Sequence, residues 1–124
     1  MLRIVYGALL LFHGWGHLAW YVPAPADDAF PFRWSSPMFP RVSAATLRKI
    51  VTPVIGVVIV TLSIAAFGAW GVAALAGIWP GAAIIGAVLS LGVMALLWHP
   101  WLVTGPMVNM ILMAGALYPA ILSM

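Results

Sequence analysis

Three histidines, His13, His17 and His99, and a single asparagine, Asn109, are the side chains in this sequence best suited to bind or exchange protons. His13 and His17 stand four apart in LFHGWGHLAW, a spacing that puts both imidazoles on one face of a helix. Two ring nitrogens there can hold a metal, and His99 would add a third. Met107, Met110 and Met113 could supply soft ligands for copper, although a spacing of three on a helix is also that of ordinary packing. Imidazoles can equally hydrogen-bond a quinone carbonyl and exchange its proton, ligate haem or a chlorin, or bond between helices as Ser, Asn and His do in membrane bundles. We assign no metal ligands. The candidate cofactor pocket is His13, His17, His99, Asn109, Trp15 and Ser90, with quinone the first ligand to consider and haem or chlorin the second.

These groups lie in a strongly apolar chain. Of 124 residues, 65% are hydrophobic and 6% charged, and the mean hydropathy is +1.15. A soluble domain has about a quarter of its residues charged, and seven Arg, Lys, Asp and Glu side chains cannot cover a globule of this size. Lipid is therefore the expected solvent. The length suits one domain, residues 1–124.

Four segments are long and apolar enough to cross about 30 Å of hydrocarbon as helices, near residues 2–22, 49–67, 80–98 and 106–122. None shows the alternation that a transmembrane barrel needs. The expected fold is all-α: an integral membrane bundle of four transmembrane helices with a proline-rich first loop. Ala24-Pro25-Ala26 resembles a signal cleavage site, but the preceding run is longer than the core of a signal peptide and holds two histidines. We read it as a retained helix.

The loop PAPADDAFPFRWSSPMFPRVSAATLRK holds five prolines, which forbid a long helix. Its aromatic residues suggest an ordered segment lying on the membrane interface or a partner. Ser43 is a suitable N-cap for the second helix, Pro80 suits the first turn of the third, and Thr104 or Gly105 is the expected cap of the fourth. Trp70 and Trp79 are expected at the interface. Arg33, Arg41, Arg48 and Lys49 belong to the first loop or its end, with Arg3 alone elsewhere. By the positive-inside rule that loop is cytoplasmic. The basic residues do not alternate with aromatics on a folded face, so the net charge of +3 points to no nucleic acid. Cysteine is absent, which excludes disulfides and thiolate chemistry.

Depth along the helices brings the polar groups together. At about 1.5 Å per residue, His17 lies roughly 7 Å, His13 roughly 13 Å and Asn109 roughly 6 Å below the loop face. Ser90 is about as deep as His13, and His99 sits on that face. At about 100° per residue, Tyr6, His13, His17 and Trp20 form one stripe. Gly7 and Gly14 beside it, and the ridge Ala82, Gly86, Ser90, offer notches for neighbouring helices. Asp27 and Asp28 could orient His17 or His99 if the loop folds back.

The run GALLLFHGWGHL resembles the start of DoxX-like proteins, small membrane bundles of four helices. The second half, with Ser90, Trp98-His99-Pro100, Gly105 and Asn109, resembles uncharacterised small prokaryotic membrane proteins with the same order of elements. The DoxX-like resemblance implies a membrane subunit near quinone-linked sulfur or thiol oxidation, or a helper to an oxidoreductase; it carries over no catalytic residue. Two functional expectations follow. One is a non-catalytic accessory subunit of a respiratory or photosynthetic complex in a prokaryotic plasma membrane, partnered by other membrane subunits or by its own copies. The other is a quinone-linked oxidoreductase component with a histidine-lined pocket near one membrane face.

Overall fold

The computed structural model spans residues 1–124 and is all-helical. Its α-helices are α1 (Leu2–Gly16), α2 (Ala44–Ala69), α3 (Trp79–Leu96) and α4 (Thr104–Leu117), joined or followed by short 3₁₀ segments at His17–Tyr21, Ala73–Leu75, Pro100–Leu102 and Pro119–Ser123. Three helical stretches are long and apolar enough to cross a membrane: Ala44–Ala69, Trp79–Leu96 and Pro100–Leu117. α1, which is not among these three, is shorter than expected. Its 15 α-helical residues reach about 22 Å, and from His17 the chain tightens into a 3₁₀ segment.

Local chemistry accounts for most of the boundaries. Ser43 caps α2, its Oγ accepting from the Thr46 amide at 3.2 Å, so this helix starts five residues before the expected Lys49. Pro53 lies inside α2, a position that membrane helices tolerate better than soluble ones. Pro80 stands in the first turn of α3, where its missing N–H costs nothing. At α4 the expected cap is corrected: Val103 holds the N-cap position without a side-chain bond, and Thr104 is the first helical residue. After α2 the chain turns at Gly71, whose φ of +98° suits glycine.

The helices pack in chain order. α2 lies against α1 and α3, and α3 against α4, while α1 and α4 touch over a shorter stretch. Two apolar clusters result. One holds Tyr6, Leu10, Leu62, Ala87 and Leu112; the other, at the loop end, holds Trp20, Ile55, Val93, Met94 and Leu102. Along the chain His13 and His17 fall between Leu10 and Trp20, Ser90 between Ala87 and Val93, and Asn109 between Leu102 and Leu112, each pair with one member in each cluster. Outside, Phe12, Val60, Ile85 and Met110 are exposed. An apolar exterior of this kind suits lipid and not water.

The small residues receive side chains, and Gly14 also receives the α2 backbone as its notch allows, with the Ile59 Cα 3.7 Å from a Cβ built there. A Cβ on Gly7 would lie inside the Trp70 indole, and Gly14 and Gly86 face Leu62. The Trp70 Nε1–H donates to the Ile4 carbonyl at 3.1 Å. Trp79 is buried in the first cluster and not at the interface, its ring edge-on to Tyr6 with centroids 6.0 Å apart. Met107 and Met110 point outward and are not packed in the core.

Between Val22 and Ser43 the loop has no helix or strand but is built onto the bundle end. Phe32 packs edge-on against Trp20, and Trp34 against Tyr21. Arg33 donates through Nε to the Phe30 carbonyl and through Nη2 to those of Pro25 and Asp27.

Glycine room makes a testable contrast within α2. A Cβ on Gly68 would clash with the Trp79 Cβ, close to main chain that cannot swing aside, whereas one on Gly56 meets nothing within 4 Å. Gly68→Ala should lower stability by about 1–3 kcal/mol through overpacking, and Gly56→Ala should raise it by about 0.5–1 kcal/mol. Unfolding midpoints in detergent check both signs.

Candidate functional site

The site begins with a shortage of partners. Hydrocarbon cannot hydrogen-bond, so a polar side chain on a buried helix face must find its complement on another helix. His17 is 1% exposed, and Ser90 and Asn109 are fully buried. They meet, with His13, around one hydroxyl. Ser90 Oγ lies 3.0 Å from His13 Nε2, 3.0 Å from His17 Nε2 and 3.0 Å from Asn109 Nδ2.

Proton counting assigns every role. His17 Nδ1 lies 2.9 Å from the His13 carbonyl, which only accepts, so the proton of this neutral ring is on Nδ1. His17 Nε2 then accepts, and Ser90 donates its single proton to it. The Ser90 lone pairs are left to accept from Asn109 Nδ2 and from His13 Nε2–H, which also points at Asn109 Oδ1 at 3.1 Å. Asn109 Nδ2 further donates to the Gly105 carbonyl at 3.3 Å and toward Met94 Sδ at 3.7 Å. His13 Nδ1 is thereby left as a bare lone pair with no partner in the protein.

A cleft of about 200 Å³ opens beside this network, lined from α1, the first 3₁₀ segment, the loop, α3 and α4. His13, His17, Trp20, Phe32, Met94 and Thr104 are among its walls. Trp20 is 2% exposed, and its Nε1–H is the one buried side-chain polar atom in the chain without a partner. Trp20 and His13 both border the cleft, but the unpartnered indole N–H is itself buried from it. The cleft volume exceeds the roughly 150 Å³ of an engineered cavity that holds benzene, but is below the several hundred Å³ usual for drug-sized ligands.

Of the expected pocket residues, the structure unites His13, His17, Ser90 and Asn109. It separates His99 and Trp15. His99 Nδ1 accepts from the Trp101 amide at 3.2 Å, capping a 3₁₀ turn, and its Nε2 donates to the Asp28 carbonyl at 3.1 Å. The loop does fold back on His99, though through backbone and not a carboxylate. Trp15 is 55% exposed and donates to Ser63 Oγ at 3.2 Å on the α2 side. No three His, Asp or Glu side chains converge as a metal set; the two Nε2 atoms of the histidine pair converge on Ser90 instead.

Trp20, Phe32 and Thr104 were not among the expected pocket residues. Trp20 was within reach of sequence reasoning, since it lies on the histidine stripe; Phe32 and Thr104 arrive through a loop and a turn that periodicity does not address. Comparison with family models, curated proteins and solved structures finds no match to this chain.

Removing the shared hydroxyl should cost more than one hydrogen bond. In Ser90→Ala, His17 Nε2 and Asn109 Nδ2 both lose a buried partner, an expected loss of about 1–3 kcal/mol. Ser63→Ala, which removes only the bond to exposed Trp15, should change stability by less than about 0.5 kcal/mol. Chemical unfolding of both variants in the same detergent measures the difference.

Proposed function

We propose that this protein is a small, non-catalytic accessory subunit of a respiratory or photosynthetic complex in a prokaryotic plasma membrane. The observation that carries this reading is the commitment of the buried polar groups to one another: Ser90 joins both histidines and Asn109. A network so used ties α1, α3 and α4 together, and its one hydroxyl, fully buried at Ser90, is not open to a substrate. The apolar outer faces suit helix docking to other membrane subunits or to a second copy.

A fourth crossing belongs to this proposal. The 15 residues of α1 and the five of the following 3₁₀ segment together reach about 32 Å, which matches the hydrocarbon thickness. With Arg33, Arg41, Arg48 and Lys49 at one end, the first loop faces the cytoplasm. The absence of cysteine makes this simple to test. A single Ala26→Cys variant should react with a membrane-impermeant maleimide in inverted vesicles and not in intact cells; the opposite pattern reverses the orientation.

A second reading is favoured by the Trp20 Nε1–H without a partner beside the cleft. A quinone presents a single ring with carbonyl acceptors, and His13 Nδ1 could take a proton from the reduced form. The protein would then be a quinone-linked oxidoreductase component, in keeping with the resemblance of its first helix to DoxX-like proteins. The two readings separate in one experiment on His13→Leu/His17→Leu and Trp20→Phe proteins purified in mild detergent. The accessory reading expects wild type to migrate with larger partners and without quinone, and the double variant to lose assembly. Intact assembly with loss of co-purifying quinone, in Trp20→Phe as well, overturns it in favour of the second.

A further inference from the structure

The basic residues that flank the first loop do more than bias orientation, because the fold brings two of them to one place. A cavity of about 560 Å³ lies where the loop meets the start of α2, and Trp20, Tyr21, Arg33, Trp34, Ser35 and Arg48 line it. No acidic residue does. Arg33 is anchored by three loop carbonyls, which fix its guanidinium without neutralising it. Arg48 makes no hydrogen bond or ion pair within the chain. Its guanidinium stands 5.2 Å from the Tyr21 ring centroid, and Tyr21 is itself held by a 2.6 Å bond from its hydroxyl to Thr52 Oγ1.

Two positioned cations around one cavity repel unless an anion lies between them. Arginine presents a fork of N–H donors that matches phosphate oxygens, and those of Arg48 are unused. Ala44, the first residue of α2, also borders the cavity, adding the positive end of a 26-residue helix. Tyr21 and Trp34 give the cavity an aromatic wall of the kind that sits at headgroup level. Below it, the outer faces of the helices are apolar, so an amphiphile whose headgroup entered here would keep its chains in lipid.

We propose that this cavity binds the phosphate group of an anionic membrane lipid, with Arg48 the principal ligand and Arg33 the second charge. The site is separate from the histidine network and rests only on the chain lying in a bilayer, not on its role in a complex.

The test uses the full chain purified in a neutral detergent, without partners. Phosphatidylglycerol, phosphatidylcholine and inorganic phosphate are titrated separately, with binding followed by native mass spectrometry and by the unfolding midpoint. Phosphatidylglycerol should bind saturably and ahead of phosphatidylcholine. Arg48→Gln should weaken it about tenfold, the effect of losing charge-assisted hydrogen bonds to a phosphate, and Arg48→Lys should weaken it less. Lys49→Gln, a neighbouring solvated charge outside the cavity, should leave binding within about twofold. Equal behaviour of the Arg48→Gln and Lys49→Gln proteins, whether both unaffected or both impaired, overturns the proposal by reducing the effect to general charge attraction. Saturation by inorganic phosphate in an Arg48-dependent manner, with no competition from phosphatidylglycerol, overturns the lipid as the source.

Discussion

A hydrocarbon environment offers no hydrogen bonds, and each polar side chain inside the bundle must find its partner in the protein. Four such side chains on three helices share the Ser90 hydroxyl or groups bonded to it. Serine suits that centre because one hydroxyl donates once and accepts twice, which is the number of bonds needed to join two imidazoles and a carboxamide. Leucine-rich packing alone would leave helix rotation loosely defined, since lipid tails are as apolar as the side chains they replace. The network supplies a direction: α1, α3 and α4 must each turn one polar face to a common point.

That demand also shapes the space around it. α2 packs against α1 and α3, while α1 and α4 also meet at Tyr6, whose hydroxyl donates to the Leu112 carbonyl and whose ring lies against Gly115. The cleft lies toward the loop end, among His13, Trp20, Phe32 and Thr104. Aromatic residues from the loop and the first 3₁₀ segment cover this end, with Trp20 between Phe32 and His17. The same indole borders both the cleft and the outer cavity with the two arginines. The ordered loop is therefore part of the architecture, and its prolines and its arginine bonds keep it out of helical form.

Much of the candidate site was legible before any coordinates. A helical period and a fixed rise per residue were enough to place His13, His17, Ser90 and Asn109 in the same half of the bundle, and the two histidines on one stripe of the first helix, because both rules are properties of the helix backbone. His99 failed for a local reason: it follows α3 at a turn, where helical phase no longer applies, and its ring is used as a cap. Trp15 failed because residues one or two positions from a stripe point away from it, and the neighbouring glycines do not alter that direction. The assignment of Trp79 to the interface failed because Gly68 leaves room for its side chain inside the bundle.

Composition and periodicity alone determined that this chain is helical, that its outer surface is apolar and that its few polar residues share one end of the bundle. Those are consequences of solvent and backbone geometry, which act on every residue alike. Which groups bond, which ring nitrogen keeps a bare lone pair, and which indole N–H goes without a partner were decided only by the tertiary structure. They depend on distances of about 3 Å between atoms from different helices, and no pattern along one helix encodes the rotation and offset of its neighbour.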